Sequence, residues 1–188
     1  MYEYISGKLI SLTPATAVVD CGGVGYLLEI TLNTYSAIQT KQEVRLWVHE
    51  VVREDAYLLY GFATMEEREM FRLLIGVSGV GAATARMMLS SLTVEELKGA
   101  IAAKDAKMVQ RAKGVGAKTA QRIVLELQDK IDGAGLVAAA PAASQNKQEA
   151  QSALLMLGFQ KPAVEKVLAA LDATLSVEQL IKEALKKL

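Results

Sequence analysis

Two stretches of the chain repeat one another. "SGVGAATARMMLSSL" at 78–92 and "KGVGAKTAQRIVLEL" at 113–127 align without gaps at an offset of 35, with 7 of 15 positions identical. Each copy sets Gly-Val-Gly between an apolar stretch of helical period and a second helix, so one supersecondary unit is used twice. The glycines permit a tight turn and close approach of another backbone, while Val80 or Val115 plugs the seam between the paired helices. The N–H groups that open the second helix have no intrahelical partner, and with the helix dipole they favour an anion.

The second copy also resembles a nucleotide loop, since "GVGAKTA" at 114–120 runs glycines into a Lys-Thr step. A Walker A loop needs glycine at the positions that Ala112 and Ala117 occupy when Lys118-Thr119 is aligned to it, because a Cβ there blocks the curl around the β-phosphate. The preceding "KMVQRA" is helical in period where a buried strand is required, and no apolar run ending in an acidic pair supplies a Mg²⁺ carboxylate. ATP binding is therefore rejected. The pattern instead resembles the helix-hairpin-helix motif of proteins that grip the DNA backbone without reading bases. Lys107, Arg111, Lys113, Lys118 and Arg122 surround the second copy, so binding is expected to be salt dependent and indifferent to sequence.

Before the repeat the period is two. Ala17, Val19 and Cys21 alternate up to the Gly22-Gly23 hairpin signal; Val24, Tyr26, Leu28, Ile30 and Leu32 continue on one face. Val44, Leu46, Val48 and Val52 alternate again, and "YLLYGF" follows the charged break Arg53-Glu54-Asp55-Ala56. About five strands in residues 1–63 suit a small closed barrel of the oligonucleotide-binding (OB) type, an open sheet being the alternative, with Tyr26, Tyr57 and Tyr60 as sheet-packing residues. At Thr64 the period becomes 3.6, and Thr64 with Glu67 forms a capping-box pattern, as do Thr93 with Glu96 and Ser176 with Gln179. An all-α domain is expected over 64–131. Residues 132–146 lose charge and periodicity and read as a flexible linker. Three stripes over 147–188 predict a small three-helix bundle, UBA-like in size, with the link Leu157-Gly158-Phe159 between its first two helices. The fold class is multidomain α+β.

Zero net charge hides a division. Residues 1–63 carry four basic against seven acidic side chains, net −3, and residues 81–130 carry nine against five, net +4. A phosphate-binding surface is expected in the basic middle. One cysteine, Cys21, and one histidine, His49, leave no set for a zinc site or a histidine-centred triad; both read as structural. Neither a metal nor a cofactor is expected. No apolar run reaches the ~20 residues of a membrane helix and no secretory pattern opens the chain, so a cytoplasmic protein is expected.

With "VVREDAYLLYGF" at 51–62, hairpins at 79–81 and 114–116, and a tethered C-terminal bundle, the chain resembles the RuvA family over all 188 residues. The resemblance implies a Holliday-junction-binding subunit that is not itself an enzyme. Four copies would form a flat tetramer, or two such layers an octamer, each copy holding one arm of a four-way junction. It implies backbone contacts from Gly79, Gly81, Thr84 and Arg86 in the first copy and Lys113, Gly114, Gly116, Lys118, Thr119 and Arg122 in the second. It makes Glu54 and Asp55 an acidic pin that repels phosphates where strands exchange. It makes the C-terminal bundle, around Leu157, Gly158 and Phe159, the docking module for the hexameric RuvB ATPase, with the RuvC resolvase joining the larger complex. One departure stands out: the family's first hairpin commonly continues Pro-Lys where this chain has Ala82-Ala83. Two other readings compete. A glycosylase-like repair enzyme of the same motif needs an apolar-Asp-Thr-His step, which "KIDGAGLVAAA" at 130–140 lacks. A generic DNA-binding module using the β-domain for single strands needs a basic groove, and that domain is net acidic.

Overall fold

The computed structural model describes residues 2–133, 142–172 and 175–188. The chain divides into two compact units, residues 1–135 and 136–188. In the first, β1 (Tyr4–Leu12), β2 (Thr16–Asp20), β3 (Gly25–Ile30), β4 (Glu43–Val52) and β5 (Tyr57–Phe62) close into a barrel in the order β1-β2-β3-β5-β4. Neighbours are antiparallel except β3 and β5, which pair in parallel at Glu29↔Tyr60 and Ile30↔Gly61. The alternation sets the interior: Ala17, Val19, Leu28, Ile30, Val44, Leu46 and Val48 are buried together. Each large aliphatic side chain among them contributes ~1.5–3 kcal/mol by leaving water.

The alternation overreaches at Leu32. The strand ends at Ile30, and Thr31 caps α1 (Leu32–Ile38), its hydroxyl accepting from the Thr34 N–H at 2.9 Å. A period of two that runs one residue into a helix is invisible without the cap, and Leu32 is left exposed.

Five more helices complete the unit: α2 (Met65–Ile75), α3 (Ala82–Ser91), α4 (Val94–Ala102), α5 (Ala106–Gln110) and α6 (Ala117–Gly133). Their core includes Phe71, Leu74, Met88, Leu97, Ile101, Ile123 and Leu127, and it takes in Tyr60 and Phe62 from β5. The Phe71 ring centre lies 4.9 Å from that of Phe62 and 5.0 Å from that of Tyr60. The change of period at 63–64 is thus not a break in packing.

Glu67 makes the same point with polar groups. The Thr64 hydroxyl accepts from the Glu67 N–H at 3.1 Å, but the Glu67 side chain does not return to complete the capping box. Its carboxylate accepts instead from the hydroxyls of Thr31 and Thr34, the latter at 2.7 Å. The group is 4% exposed; burial raises its pKa, and the two threonine hydrogen bonds act against that rise. Beside it the buried Arg68 guanidinium donates to the Glu3 carbonyl at 2.9 Å and the Glu3 carboxylate at 2.7 Å, 5.2 Å from the Trp47 ring centre. The boxes at Thr93 with Glu96 and Ser176 with Gln179 are complete.

In the second unit α7 (Ala142–Met156), α8 (Lys161–Ala169) and α9 (Val177–Leu185) bury Ala150, Leu154, Val164, Leu168, Leu180 and Ala184 against one another. A linker is expected at 132–146, and helix enters that range from both ends. Residues 132–133 belong to α6 and 142–146 to α7, where Ala142 and Ala143 open the helix without needing an apolar stripe. Residues 134–141, the remainder of that expectation, lie outside the described residues.

Candidate nucleic-acid interface

The two Gly-Val-Gly copies fold alike bond for bond. The Val80 N–H donates to the Val77 carbonyl at 3.0 Å and the Val115 N–H to the Ala112 carbonyl at 3.2 Å. One turn later the Ala85 N–H donates to the Gly81 carbonyl and the Ala120 N–H to the Gly116 carbonyl, both at 2.9 Å. Val80 and Val115 are buried in the core. Gly79 and Gly114 sit at φ +90° and +89°, a region L side chains avoid, so the turn itself demands glycine there. The segment before the second hairpin is α5, a helix, which agrees with the rejection of a phosphate loop behind a strand.

Gly81 and Gly116 have a different reason to be glycine. Gly81 is extended, at φ −84° and ψ 166°, and a Cβ placed at Gly81 or Gly116 meets nothing within 4 Å. Folding does not require the missing methyl at either position. What its absence leaves is uncovered backbone at the start of α3 and of α6, with no side-chain cap at Gly81 for the N–H groups that open the helix. Two such N-termini open helices of 10 and 17 residues, the kind of helix end that favours an anion.

The pair is tied together. Arg122 of α6 donates from Nη1 to the Ser78 carbonyl in the first hairpin at 3.1 Å, and the Cβ position of Gly79 lies 4.0 Å from Thr119 Oγ1. Arg122 therefore serves as a brace as well as a half-exposed charge, 3.9 Å from the Glu126 carboxylate. Lys113 and Lys118 are exposed and unpaired among the described residues; Thr84 and Thr119 are half-buried. Ala82 is buried and Ala83 exposed, so the departure from Pro-Lys removes a charge from the surface and not from the packing.

Arg86, which the resemblance implies as a backbone contact, also reaches the barrel. Its Nη1 donates to the Glu29 carboxylate of β3 and to the Ala15 carbonyl at 3.3 Å. Its guanidinium is compensated by a partly buried carboxylate of the barrel.

Glu54 and Asp55 stand exposed in the loop between β4 and β5, closed by the Arg53 N–H donating to the Ala56 carbonyl at 2.8 Å. Tyr60 is buried and Tyr26 packs against the barrel core, as expected of sheet residues. Tyr57 does not: it is 58% exposed, because the β4–β5 ladder runs on past the barrel to the pair Val52↔Tyr57.

In the C-terminal unit Gly158 takes φ +94° and the Phe159 N–H donates to the Leu154 carbonyl at 3.2 Å, so the link is a helix-ending turn. Phe159 packs on the bundle core while Leu157 is 63% exposed. Met156, which the stripes did not single out, is 89% exposed beside it; an apolar residue off the helical stripe was the available signal. His49 lies against Phe71, ring centres 5.4 Å apart, and burial lowers its pKa. The Cys21 thiol donates to the Ser6 carbonyl at 3.2 Å. Among the described residues no cluster of His, Cys, Asp or Glu is arranged to hold a metal.

A braced pair of helix-hairpin-helix units packed on an OB-type barrel defines a tandem helix-hairpin-helix DNA-binding protein. The RuvA N-terminal domain family matches residues 1–61, the SAM-like helix-hairpin-helix tandem family residues 71–129, and the RuvA C-terminal domain family residues 145–188. Proteins named Holliday junction branch migration complex subunit RuvA from Bacteroides thetaiotaomicron, Bacteroides fragilis and Christiangramia forsetii are 48%, 49% and 46% identical, with the whole of both chains aligned. The chain belongs to the RuvA family.

Proposed function

We propose that the chain binds four-way DNA junctions as the non-catalytic subunit of a branch migration complex whose ATP hydrolysis resides in a RuvB-type motor. The observation that carries this reading is the open space at Gly81 and Gly116: both copies keep glycine where folding does not need it, beside free helix N–H groups. A phosphodiester is the ligand that uses both features. Backbone N–H groups and Thr84 serve the first site; Lys113, Gly114, Gly116, Lys118 and Thr119 serve the second, with Arg122 setting their spacing.

The exposed carboxylates of Glu54 and Asp55 act at the crossover by repelling phosphates, holding exchanging strands apart without cleaving them. Fourfold assembly gives each junction arm one such pair of hairpins, and a second tetramer on the opposite DNA face makes an octamer. In the C-terminal unit the exposed Met156 and Leu157 form the docking face for the motor, and a RuvC-type resolvase joins the same assembly. Among the described residues no helix is long and apolar enough to cross a membrane; a chromosomal DNA partner places the work in the bacterial cytoplasm.

The test is a competition gel shift of a four-way junction against linear duplex of the same sequence at moderate salt. A junction preference above about tenfold, ~1.4 kcal/mol, is expected, and a smaller one overturns the reading.

A further inference from the structure

The inward stripe of β4 does not stop where the barrel does. Val44, Leu46 and Val48 face the barrel interior; the half-buried Glu50, opposite Leu59, follows on the same alternate positions, and Val52 continues them beyond it. Its cross-strand partner is Tyr57, so the two side chains stand together on one face of the ladder. The other face of this hairpin is covered: Val51, Leu58 and Trp47 pack against the helical core. Val52 and Tyr57 are thus a core-type pair with no core above it, 65% and 58% exposed. Immediately beyond them stand the exposed carboxylates of Glu54 and Asp55.

This juxtaposition discriminates between the two parts of a nucleic acid. Carboxylates repel phosphates, yet they accept hydrogen bonds from exocyclic base amines such as cytosine N4. A tyrosine ring offers a face on which any base stacks. A base inside a duplex has no free face and keeps only one amine hydrogen in the groove, whereas a base unpaired at a strand exchange offers a face and its whole pairing edge. We infer that Tyr57, seated on Val52, is a stacking platform for an unpaired nucleobase at the centre of a bound junction, its amine turned toward Glu54 or Asp55. This rests on the junction-binding reading above. The hairpin then has two jobs: its tip excludes the backbone, and the ring below it keeps a freed base from pairing again.

The experiment uses the full chain at saturation on a four-way junction carrying one 2-aminopurine at the crossover. In the wild type, stacking on Tyr57 quenches the probe; Tyr57→Ala raises the bound-state fluorescence severalfold, Tyr57→Phe keeps the quench, and a probe well inside an arm responds to neither. Junction affinity falls about fivefold in the alanine variant, the low end for one base–aromatic stack, and is kept by phenylalanine. An unchanged melting curve shows that the exposed position is not needed for folding. Equal crossover fluorescence in the wild type and Tyr57→Ala overturns the proposal. So does a lower molar mass of free Tyr57→Ala by light scattering, which makes the pair a contact between copies. If the wild type shows no junction preference in the gel shift, the junction reading falls and this proposal with it, and that failure is seen before any Tyr57 variant is made.

Discussion

Substituting the four hairpin glycines one at a time separates folding from binding. Gly79→Ala and Gly114→Ala force a Cβ into φ near +90°, and since nothing closer than 4.0 Å surrounds either position the whole cost is backbone strain. That strain is ~1–2 kcal/mol, a fall in melting temperature of about 3–10 °C for a unit of this size. Gly81→Ala meets no such obstacle, because φ −84° and ψ 166° suit alanine and the space is open. The poorer N-cap that alanine makes is offset by the ~0.4–1 kcal/mol gained from a stiffer unfolded chain, so melting should not move by more than a degree or two. Binding should suffer instead. A methyl between the α3 N-terminus and a phosphate removes a charge-assisted hydrogen bond of ~1.5–3 kcal/mol, or about 10- to 150-fold in Kd for the junction. Gly116→Ala should match it at α6. Calorimetric melts and fluorescence anisotropy at one fixed salt measure the two effects. If Gly81→Ala binds like wild type, or melts as low as Gly79→Ala, the open space is not a phosphate seat and the reasoning fails.

Lys118→Ala should weaken junction binding and lower the slope of log K against log salt by about one for each phosphate it no longer neutralises, more than Ala83→Lys raises either; equal effects in a salt titration would count against the unequal hairpins. Glu54→Gln with Asp55→Asn should preserve or tighten junction binding while slowing motor-driven branch migration, and loss of binding in a gel shift would sink the pin. Glu67→Ala strands the Thr31 and Thr34 hydroxyls in a buried site and should cost ~2–4 kcal/mol by denaturant melt; a cost within experimental error would show the network to be idle. His49 binds its proton less readily folded than unfolded, so stability should fall as pH drops below 6.5 toward its lowered folded pKa, and be constant above. In His49→Gln, which removes the only histidine, that decline should vanish from melts across the window.

The repeat carried most of what the sequence revealed. Seven identities in 15 positions located both hairpins, and the stripes through Ala85, Met88 and Leu89 and through Ala120, Ile123 and Leu127 named their buried faces. The barrel interior was equally legible, because a strand buried on one face writes its orientation into every second residue. What stayed hidden was where separately read segments meet. Glu67 satisfied a local capping rule, yet its carboxylate serves two threonines more than 30 positions upstream, a pairing that no local pattern encodes. The ion pair of Arg86 with Glu29 was equally hidden, because the two lie 57 residues apart. Tyr57 read as a packing residue because alternation gives a side chain's face but not the point at which the neighbouring wall ends. Alanine misled in the other direction: it looked like linker over 142–146, where a helix needs only propensity and not a stripe.

Strand β5 has a mechanical consequence. It begins at the acidic loop and ends at Phe62 in the helical core, zipped along β4 from Val52↔Tyr57 to Trp47↔Phe62 and joined to β3 at Glu29 and Ile30. A pull on the loop directed along the strands draws β4 and β5 together, so the load falls in shear on the rungs that hold this hairpin to its outer neighbours, β4 to β1 and β5 to β3, and these share the tension instead of opening singly like a zipper. The force then reaches Phe71 and α2 through side chains packed against Phe62. A part proposed to hold DNA while another machine drags it needs this stiffness, and here a single short strand couples the acidic tip to the core of the helical hairpins.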